Sequence, residues 1–513
     1  MIIEKNFISK KIKDMDLRFA LVYPNIYRTA MSSLGYQLLY KFINIREDTY
    51  CERAVFPNSR TLETNSPLKD FDIISFTFQY EEDYINFLKM LKQENIPLKS
   101  DDRSEKDPLI IAGGPCVTSN PEPIADFIDL FVIGDGEPVL NSLIDCYKEN
   151  KKDLEKYLNI QGIYIPKFKN RTCIALAENM DETYHITEPV ITQTDEKELI
   201  PVFNNSIMLN VSRGCARGCR FCMSTYLYRP VRETSVEKLF ETAETARKKT
   251  GLNKITLIGA AVSDYSKLNE LSKGLLERGF EMSTPSLRIE SITREYLETL
   301  KESGLKTITL APESISKLRK KINKDIPDEK IFEIVKGTID MGFKIKFYFL
   351  IGLPDESMED IKELANYIKE LGKIKPQSVR FSINPLIPKA NTPLQWASYD
   401  LKDIKSKMRY LKKELKRFDI KYESPKKGMI QYILSCGDNS LSDILLKSLN
   451  SDITLKEWKE YMPDYESCVE FPWSNIDVGI SDTFLKLEKK RIEIEKTTPW
   501  CEKDNCSNCG SCK

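Results

Sequence analysis

The sequence predicts an α/β protein with three parts: a Rossmann-like domain, a partial (β/α)6 barrel and a small, mostly helical C-terminal region rich in cysteine. Two successive series of short apolar segments alternate with amphipathic ones, which is typical of parallel sheets covered by helices. The 513 residues suffice for two or three domains, and four of the thirteen cysteines fall in the last thirteen residues. The predicted boundaries are 1–150 for the first domain, 151–205 for a linker, 206–400 for the barrel and 401–513 for the C-terminal region.

The composition restricts the classes of function. Lysine plus arginine, 77, equals aspartate plus glutamate, 77, so the chain lacks the positive excess that would favour a nucleic-acid partner. No apolar run approaches the roughly 20 residues that span a bilayer, so we expect a cytoplasmic protein without a membrane partner. Thirteen cysteines in such a protein indicate metal or redox chemistry rather than disulfides. The single histidine, His185, argues against a histidine-rich metal site.

The first series of segments predicts a Rossmann-like sheet with helices on both faces. Its predicted strands are 18–23, 72–77, 109–112 and 130–133, and its predicted helices are 31–44 and 84–94. The periodicity is lost over residues 150–202, which favours a connecting segment.

The second series is longer and more regular, and its six repeats predict a partial barrel. The predicted strands are 207–211, 254–258, 281–284, 307–310, 344–351 and 378–383. The predicted helices are 235–249, 266–278, 293–303, 328–341 and 358–371, followed by an amphipathic helix at 401–418. In such barrels the catalytic and ligand-binding residues lie just after the carboxyl ends of the strands.

Three cysteines follow the first predicted barrel strand within eight residues: Cys215, Cys219 and Cys222. Three thiolates can bind three irons of a [4Fe-4S] cubane and leave the fourth iron open to a substrate. A structural zinc site would need a fourth ligand nearby. Gly214 and Gly218 leave the loop free to wrap closely around a cluster. The spacing therefore predicts a catalytic cluster with one open position.

This C-x3-C-x2-C spacing, with Phe221 before the last cysteine, resembles that of the radical S-adenosylmethionine (SAM) superfamily. The resemblance implies a partial (β/α)6 barrel, which agrees with the six repeats. It also implies that SAM chelates the open iron and that one-electron reduction releases a 5′-deoxyadenosyl radical, chemistry that side chains alone cannot supply. Cys215, Cys219 and Cys222 are then both metal ligands and catalytic residues.

The ends of the other predicted strands carry candidate SAM-binding residues. Gly259 and Ser263 follow the second strand, where the superfamily often has a Gly-Gly-Glu segment that this chain lacks. Arg288, after the third strand, is the candidate for the SAM carboxylate, and Glu313, after the fourth, is the candidate for its ribose or amino group. The candidates after the fifth and sixth strands are Gly352 and Asn384.

The N-terminal domain resembles the cobalamin-binding domain that precedes many radical SAM enzymes, on the segments 20–24, 72–79, 111–115 and 132–137. Glycines in these segments let the backbone approach a large flat cofactor. The chain lacks the Asp-x-His-x-x-Gly motif by which other cobalamin proteins coordinate cobalt, so we expect the lower corrin face to meet backbone, water or other side chains. The candidate cobalamin-binding residues are Asn25, Tyr27, Gln79, Gly113, Gly114, Gly134 and Gly136.

The whole chain resembles a group of cobalamin-type radical SAM proteins, on the segments 229–232, 286–288, 311–313 and 322–324 and on its terminal cysteines. In methanogenic archaea a similar architecture belongs to the enzyme that C-methylates a glutamine of methyl-coenzyme M reductase. The resemblance implies a cobalamin-dependent C-methyltransferase for an unactivated carbon, a protein substrate, and an electron donor such as ferredoxin or flavodoxin.

Two alternative functions stay open. The first is a radical SAM enzyme without methyl transfer, such as a methylthiotransferase-like or rearrangement enzyme, whose first domain binds substrate or is kept for packing. The second is an iron–sulfur scaffold for electron transfer, without an activity of its own.

The tail carries four more cysteines, Cys501, Cys506, Cys509 and Cys512. Four thiolates at this spacing can hold zinc, iron or an additional iron–sulfur cluster, and they leave no open position. We therefore predict a structural or electron-transfer metal centre at the tail. A tail without metal is the alternative.

Overall fold

The computed structural model describes residues 3–284, 286–466, 468, 470–501 and 505–512. Its first part is built on a six-stranded sheet with helices on both sides. The strands are β1 (Ile3–Lys5), β2 (Leu17–Tyr23), β3 (Thr49–Val55), β4 (Ile73–Thr77), β5 (Leu109–Gly113), β6 (Leu130–Val132), β7 (Ile163–Tyr164), β8 (Thr172–Cys173) and β9 (Ile191–Gln193). The helices are α1 (Tyr27–Ala30), α2 (Leu34–Ile43), α3 (Asp83–Gln93), α4 (Pro115–Ser119) and α5 (Glu137–Asn150).

The strand order of this sheet is β3-β2-β4-β5-β6-β7. All neighbours are parallel except β6 and β7, which are antiparallel. The order reverses between β2 and β4, and ligands of such sheets bind beside the carboxyl ends of the strands at that point. The predicted α/β class with a parallel sheet is confirmed.

Two strands of the sheet, β3 and the short β7, are absent from the sequence prediction, and β3 is the longer of them. Its centre carries two charged residues, Glu52 and Arg53, and both are fully buried. Arg53 pairs with Glu63 at 2.7 Å, and Glu52 pairs with Arg18 at 2.9 Å. Charged side chains are almost never fully buried unless they are paired. Since nothing in the local sequence reveals these partners, a prediction based on apolar runs missed the strand.

The predicted linker 151–205 is part of the fold rather than a bare connection. Within it, β7 extends the sheet and β9 pairs antiparallel with β1. β8 pairs in parallel with Ile476–Asp477, a strand close to the other end of the chain. The C-terminal region is therefore tied back to the N-terminal domain.

The barrel strands form two parallel sheets, β10-β13-β14 and β15-β16-β17-β18. Between them, an isolated bridge joins Leu287 to Leu310. The strands are β10 (Ile207–Asn210), β11 (Ser212–Arg213), β12 (Arg232–Glu233), β13 (Lys254–Ile258), β14 (Glu281–Ser283), β15 (Thr307–Glu313), β16 (Lys344–Ile351), β17 (Val379–Pro385) and β18 (Ile420–Tyr422). All six predicted strands are present; the structure adds β18 beside β17 and a short antiparallel hairpin of β11 and β12.

Helices cover the barrel and fill the C-terminal region. They are α6 (Met223–Leu227), α7 (Val236–Thr250), α8 (Leu268–Glu277), α9 (Arg294–Glu302), α10 (Ser316–Lys321), α11 (Asp328–Asp340), α12 (Met358–Ile374), α13 (Leu401–Glu414), α14 (Pro425–Cys436), α15 (Leu441–Ser448), α16 (Leu455–Lys459) and α17 (Asp482–Glu493). The last strand is β19 (Ile476–Asp477). In the described part of the chain, none of these helices has the length and apolar character needed to cross a membrane.

Buried ion pairs join the N-terminal domain to the barrel. The carboxylate of Asp135, which follows β6, contacts Arg213 at 3.1 Å and Arg232 at 2.9 Å. Arg213 also pairs with Glu137, at 2.6 Å, in the first turn of α5. Arg213 and Arg232 are directly opposite each other in the β11–β12 hairpin. The hairpin is thus attached to the carboxyl edge of the first sheet.

Replacement of Gly134 by alanine should destabilise this junction. Gly134 lies at φ +109°, and a Cβ added there would be 2.1 Å from the carbonyl oxygen of Ala175. Gly279, at φ +77°, has no atom within 4 Å of the same position. Both alanines carry the cost of a positive φ, but Gly134→Ala adds an overpacking cost of about 1–3 kcal/mol. Thermal unfolding of the metal-free chain should show the larger loss for Gly134→Ala; equal losses would contradict this.

Candidate active site

The cysteine triplet lies in the loop that joins β11 to β12, residues 214–231, which we call the cluster loop. Cys215 and Cys219 are buried, and Cys222 is half-buried directly before α6. Gly214 begins the loop at φ +82°, where a Cβ would lie 2.3 Å from the carbonyl oxygen of Tyr228. Only glycine fits this position, so the loop can fold back on itself and bring the thiols together.

The donor chemistry of the triplet fits an iron–sulfur cluster with three protein ligands. Burial and the neighbouring thiols of Cys219 and Cys215 raise the pKa of Cys222 to about 11. Nη1 of Arg288 donates to Sγ of Cys219 at 3.4 Å, so a cation faces the sulfurs. Within the described ranges, no three His, Cys, Asp or Glu side chains are set as a metal site. The fit therefore rests on the thiols and the arginine, not on a preformed geometry.

Arg288 is held in place from the end of β13. Its backbone N–H donates to Oγ of Ser263 at 2.9 Å. Asp264, the next residue, accepts from Nε of Arg217 at 2.6 Å and lies 3.8 Å from Arg288. Arg217 stands between the first two cysteines, and the sequence analysis did not single it out. The predicted pair Ser263 and Arg288 is thus brought to the cluster loop together with an unpredicted ion pair.

A cavity of about 610 Å³ opens at the carboxyl ends of the barrel strands. Two predicted residues line it, Glu313 and Asn384, with Met223 of α6 and Tyr348 of β16. Glu313 is buried, adopts a positive φ of +68° and pairs with Lys324 at 2.9 Å. Non-glycine residues hold such backbone conformations only where the surroundings impose them, frequently at functional sites. The cavity has the position expected for SAM.

Gly352 and Gly259 have different surroundings from those expected. The N–H of Gly352 donates to the carboxylate of Glu356 at 2.6 Å, and burial raises the pKa of Glu356 to about 7 in spite of the nearby Lys407. Gly352 therefore shapes the turn after β16. Gly259 lies at a second cavity, between the barrel and the N-terminal domain, which we call the interdomain cavity. The first, at the strand ends, is called the barrel cavity.

This second cavity has a volume of about 530 Å³ and lies at the carboxyl edge of the first sheet. Its lining includes five predicted residues, Gln79, Gly113, Gly114, Gly134 and Gly136. From the barrel side it is lined by Asn210, Arg213, Ser224, Tyr228 and Gly259 among others. The glycines at the ends of two strands, β5 and β6, thus face the barrel across one cavity, as a bound flat cofactor requires.

Asn25 and Tyr27, which were predicted to join these residues, are engaged elsewhere. The Tyr27 hydroxyl is buried and lies 2.7 Å from Glu4 and 2.8 Å from Thr192. Nδ2 of Asn25 donates to Asp83 at 2.7 Å. Their polar groups hold the N-terminal strand and α3, and neither residue is part of the lining of this cavity.

The two cavities share a wall. Met223 lines the barrel cavity and Ser224, the next residue of α6, lines the interdomain cavity. In the same way Glu82 lines the barrel cavity and Gln79 the interdomain one. His185, the single histidine, lines neither of the two and contacts the carbonyl oxygen of Met180 at 2.9 Å.

The cysteine tail lies against the cluster loop. The backbone N–H of Cys501 donates to the carbonyl oxygen of Ala216 at 3.0 Å. Burial raises the pKa of Cys501, and the thiols of Cys509, Cys512 and Cys506 raise it further. Cys509 is buried, Cys501 is half-buried, and Cys506 and Cys512 are exposed; among the described residues these thiols are not set as a preformed metal site. Residues 502–504, between the first two cysteines, lie outside the described residues.

Several residues of the site escaped sequence reasoning. They are Asp135, Arg213, Arg217, Arg220, Asp264 and Glu488. For three further site residues the sequence contained a weak signal. Arg232, Asn323 and Lys324 fall in the segments 229–232 and 322–324, which are two of those that carried the family resemblance. The structure gives these three residues contacts: Arg232 with Asp135, Asn323 with the cluster loop and Lys324 with Glu313.

Comparison with known proteins agrees with this geometry. Residues 35–166 match the family model described as radical SAM proteins, N-terminal, and residues 209–368 match the radical SAM superfamily. An uncharacterized protein of Methanocaldococcus jannaschii is 33% identical over 84% of this chain and 91% of its own length. An uncharacterized methyltransferase of Pyrococcus horikoshii is 26% identical over 51% of this chain and 58% of that protein.

Among solved structures, the radical SAM methyltransferase TsrM of Kitasatospora setae, with cobalamin and a [4Fe-4S] cluster bound, is similar in fold. The TM-score is 0.51, the sequence identity is 11%, and the match covers 72% of this chain and 75% of TsrM. The family matches, the relative from Methanocaldococcus jannaschii and the cysteine triplet at the end of the first barrel strand together show that the chain belongs to the radical SAM superfamily.

Proposed function

We propose that this radical SAM enzyme is a cobalamin-dependent C-methyltransferase that acts on an unactivated carbon. The observation that carries the proposal is the wall shared by the two cavities, in which Met223 and Ser224 face different sides. Radical methylation needs a hydrogen-abstracting centre and a methyl donor within reach of one substrate carbon. Two cavities that meet at one short helix supply such an arrangement.

In this proposal the barrel side binds the cluster and SAM. Cys215, Cys219 and Cys222 hold the cluster, which together with SAM supplies the radical chemistry that the superfamily is known for. Arg288 orients the SAM carboxylate, and its own position is fixed through Ser263. Glu313 is available to hydrogen-bond the SAM ribose or amino group, and its carboxylate is paired with Lys324.

The interdomain cavity is the proposed cobalamin site. Bound cobalamin supplies a methyl group that a carbon radical can take. Gly113, Gly114, Gly134 and Gly136 bring bare backbone to the cavity wall. Since the single histidine lines neither cavity, no imidazole is available to coordinate cobalt.

We propose a protein as the substrate, with a glutamine of methyl-coenzyme M reductase as the candidate and a ferredoxin or flavodoxin as electron donor. The mouth of the barrel cavity carries charges of both signs, Glu82, Lys389, Glu423 and Lys427. Such a mouth suits a polar peptide segment better than an apolar small molecule. The alternative, a radical SAM enzyme without methyl transfer, would have no cobalamin in the interdomain cavity.

Replacement of Cys219 by alanine should abolish SAM cleavage, because only two thiolates would remain to hold the cluster. The measurement is 5′-deoxyadenosine formation after anaerobic reconstitution and reduction. The control is Cys146→Ala, a change at a half-buried cysteine in α5. Retained 5′-deoxyadenosine formation in Cys219→Ala would overturn the assignment of the triplet.

Replacement of Glu313 by glutamine should weaken SAM binding. A hydrogen bond to a charged group contributes about 1.5–3 kcal/mol, so the Kd should rise about 10- to 100-fold. The measurement is calorimetric titration of cluster-loaded protein with SAM. Glu423→Gln is the matched control, since Glu423 lines the same cavity but is more exposed and pairs with Lys421. Equal affinity of the two variants would remove Glu313 from the SAM site.

Cobalamin should bind to the chain in a base-off form without a nitrogen ligand from the protein. The reason is the lack of a histidine at the interdomain cavity. The Co(II) EPR spectrum of the reconstituted protein should therefore lack nitrogen superhyperfine splitting. A clear nitrogen signal would contradict the proposed binding mode, and failure to bind cobalamin would favour the enzyme without methyl transfer.

A further inference from the structure

We infer that Cys501, Cys506, Cys509 and Cys512 form a second metal site, for a thiophilic divalent ion such as zinc or iron, and that the metal-bound tail clamps the cluster loop. The clamp depends on the triplet cluster of a radical SAM enzyme but not on cobalamin or methyl transfer. Three groups of contacts support it: those that lead the chain to Cys501, those around Cys509, and those of an arginine with two donors that lack a partner.

The first contacts hold the chain that leads into the tail. Arg220 lies in the cluster loop between the second and third cysteines of the triplet and is fully buried. Its Nη2 donates to the carbonyl oxygen of Lys496 at 2.7 Å, and its Nε donates to Glu488 of α17 at 2.9 Å. A buried arginine with satisfied donors is a rigid attachment, because breaking it leaves an uncompensated charge. The cluster loop thus binds the segment that precedes the tail.

Asn323 adds a second attachment to the same loop. Its Oδ1 accepts from the N–H of Thr498 at 2.7 Å, and its Nδ2 lies 3.1 Å from the carbonyl oxygen of Gly218. One amide therefore bridges the tail and the backbone between Cys215 and Cys219. Three residues after Thr498, the N–H of Cys501 donates to the carbonyl oxygen of Ala216. The backbone of the first tail cysteine is thus hydrogen-bonded directly to the cluster loop.

The other end of the tail is also anchored. The carbonyl oxygen of Cys509 accepts from the N–H of Ser481 at 2.9 Å, at the start of α17. The hydroxyl of Ser511 donates to the carbonyl oxygen of Gly479 at 3.3 Å. Cys501 and Cys509 are thus fixed from two sides of the fold, while Cys506 and Cys512 are exposed and free to approach an ion.

Arg229 provides evidence for a bound group at the tail that does not depend on the contacts above. It belongs to the cluster loop, is 4% exposed, and its Nε and Nη1 are buried without a hydrogen-bond partner in the described structure. It lines a groove of about 860 Å³ together with Gly510, Ser511 and Cys512. Four thiolates around a divalent ion carry a net charge of two minus, and their sulfurs accept hydrogen bonds. The guanidinium already contacts the thiol of Cys509, and a metal-bound tail would also supply acceptors for the two nitrogens that lack a partner.

The metal site is tested in a chain that lacks the first cluster. In the triple variant Cys215→Ala, Cys219→Ala and Cys222→Ala, we expect one metal per chain, and Co²⁺ substitution should give the visible d–d bands of a tetrahedral thiolate site. Adding Cys509→Ser should remove both signals, whereas adding Cys146→Ser should keep them. Elemental analysis distinguishes zinc from iron. Absence of metal from the triple variant would overturn the proposal.

The clamp is tested in the chain with both sets of cysteines intact, by hydrogen exchange and by cluster loss to an iron chelator. Cys509→Ser should raise the rate of cluster loss about tenfold, the effect of losing a hydrogen bond to a charged group. Exchange in the cluster loop should rise, while exchange in β2 and β4 should stay at the level of Cys146→Ser. Asn323→Ala should keep the tail metal and still raise loop exchange. If Cys509→Ser leaves the loop exchange and the rate of cluster loss unchanged, the clamp is rejected, even where the unmodified tail is shown to bind a metal.

Discussion

The carboxylate of Asp135, together with that of Glu137, fixes the cluster loop relative to the N-terminal domain. It accepts from Arg213 and Arg232, which face each other at the base of the loop in the β11–β12 hairpin. Loss of one member of a buried ion pair costs about 3–5 kcal/mol, because the remaining charges stay buried without compensation. Gly134, the residue before Asp135, permits this contact through a backbone conformation that other residues avoid. The orientation of the barrel toward the first sheet, and with it the interdomain cavity, depends on this ion-pair set.

The cluster loop itself has little regular structure; the side chains of Asn323 and Tyr226 donate to its backbone carbonyls, and its own arginines anchor it to other elements. Arg220 donates to the carbonyl oxygens of Lys321 and Lys496, while Arg217 is held by Asp264. A buried backbone group without a partner costs about as much as a lost hydrogen bond, so an irregular loop must recruit side chains. Arginine suits such anchoring because its planar fork keeps its charge and offers five donors. The cation that lies against a thiol of the triplet is Arg288, whose Nη1 donates to Sγ of Cys219.

The parts of this fold that repeat could be predicted, and the parts that depend on distant partners could not. Each predicted barrel strand has its counterpart in the structure, because period and length are local properties of the sequence. β3 was missed because Glu52 and Arg53 are stabilised by residues far along the chain. The triplet was evident from spacing alone, whereas the contact of Asn323 with the loop required the fold. Asn25 and Tyr27 hydrogen-bond to neighbouring elements, because a residue near a strand end can turn toward such an element as easily as toward a ligand.

The wall between the cavities connects these constraints to the chemistry. α6 has only five residues, too few for a core of its own, so its position is set by what flanks it. Cys222 precedes the helix, and the hydroxyl of buried Tyr226 donates to the carbonyl oxygen of Gly218 in the cluster loop at 3.2 Å. Since consecutive helical residues point about 100° apart, Met223 and Ser224 face different cavities. Any shift of the cluster loop therefore moves both faces of the wall at once. The loop that holds the three cysteines also sets the separation of the two cavities, and a substrate carbon between them must suit both.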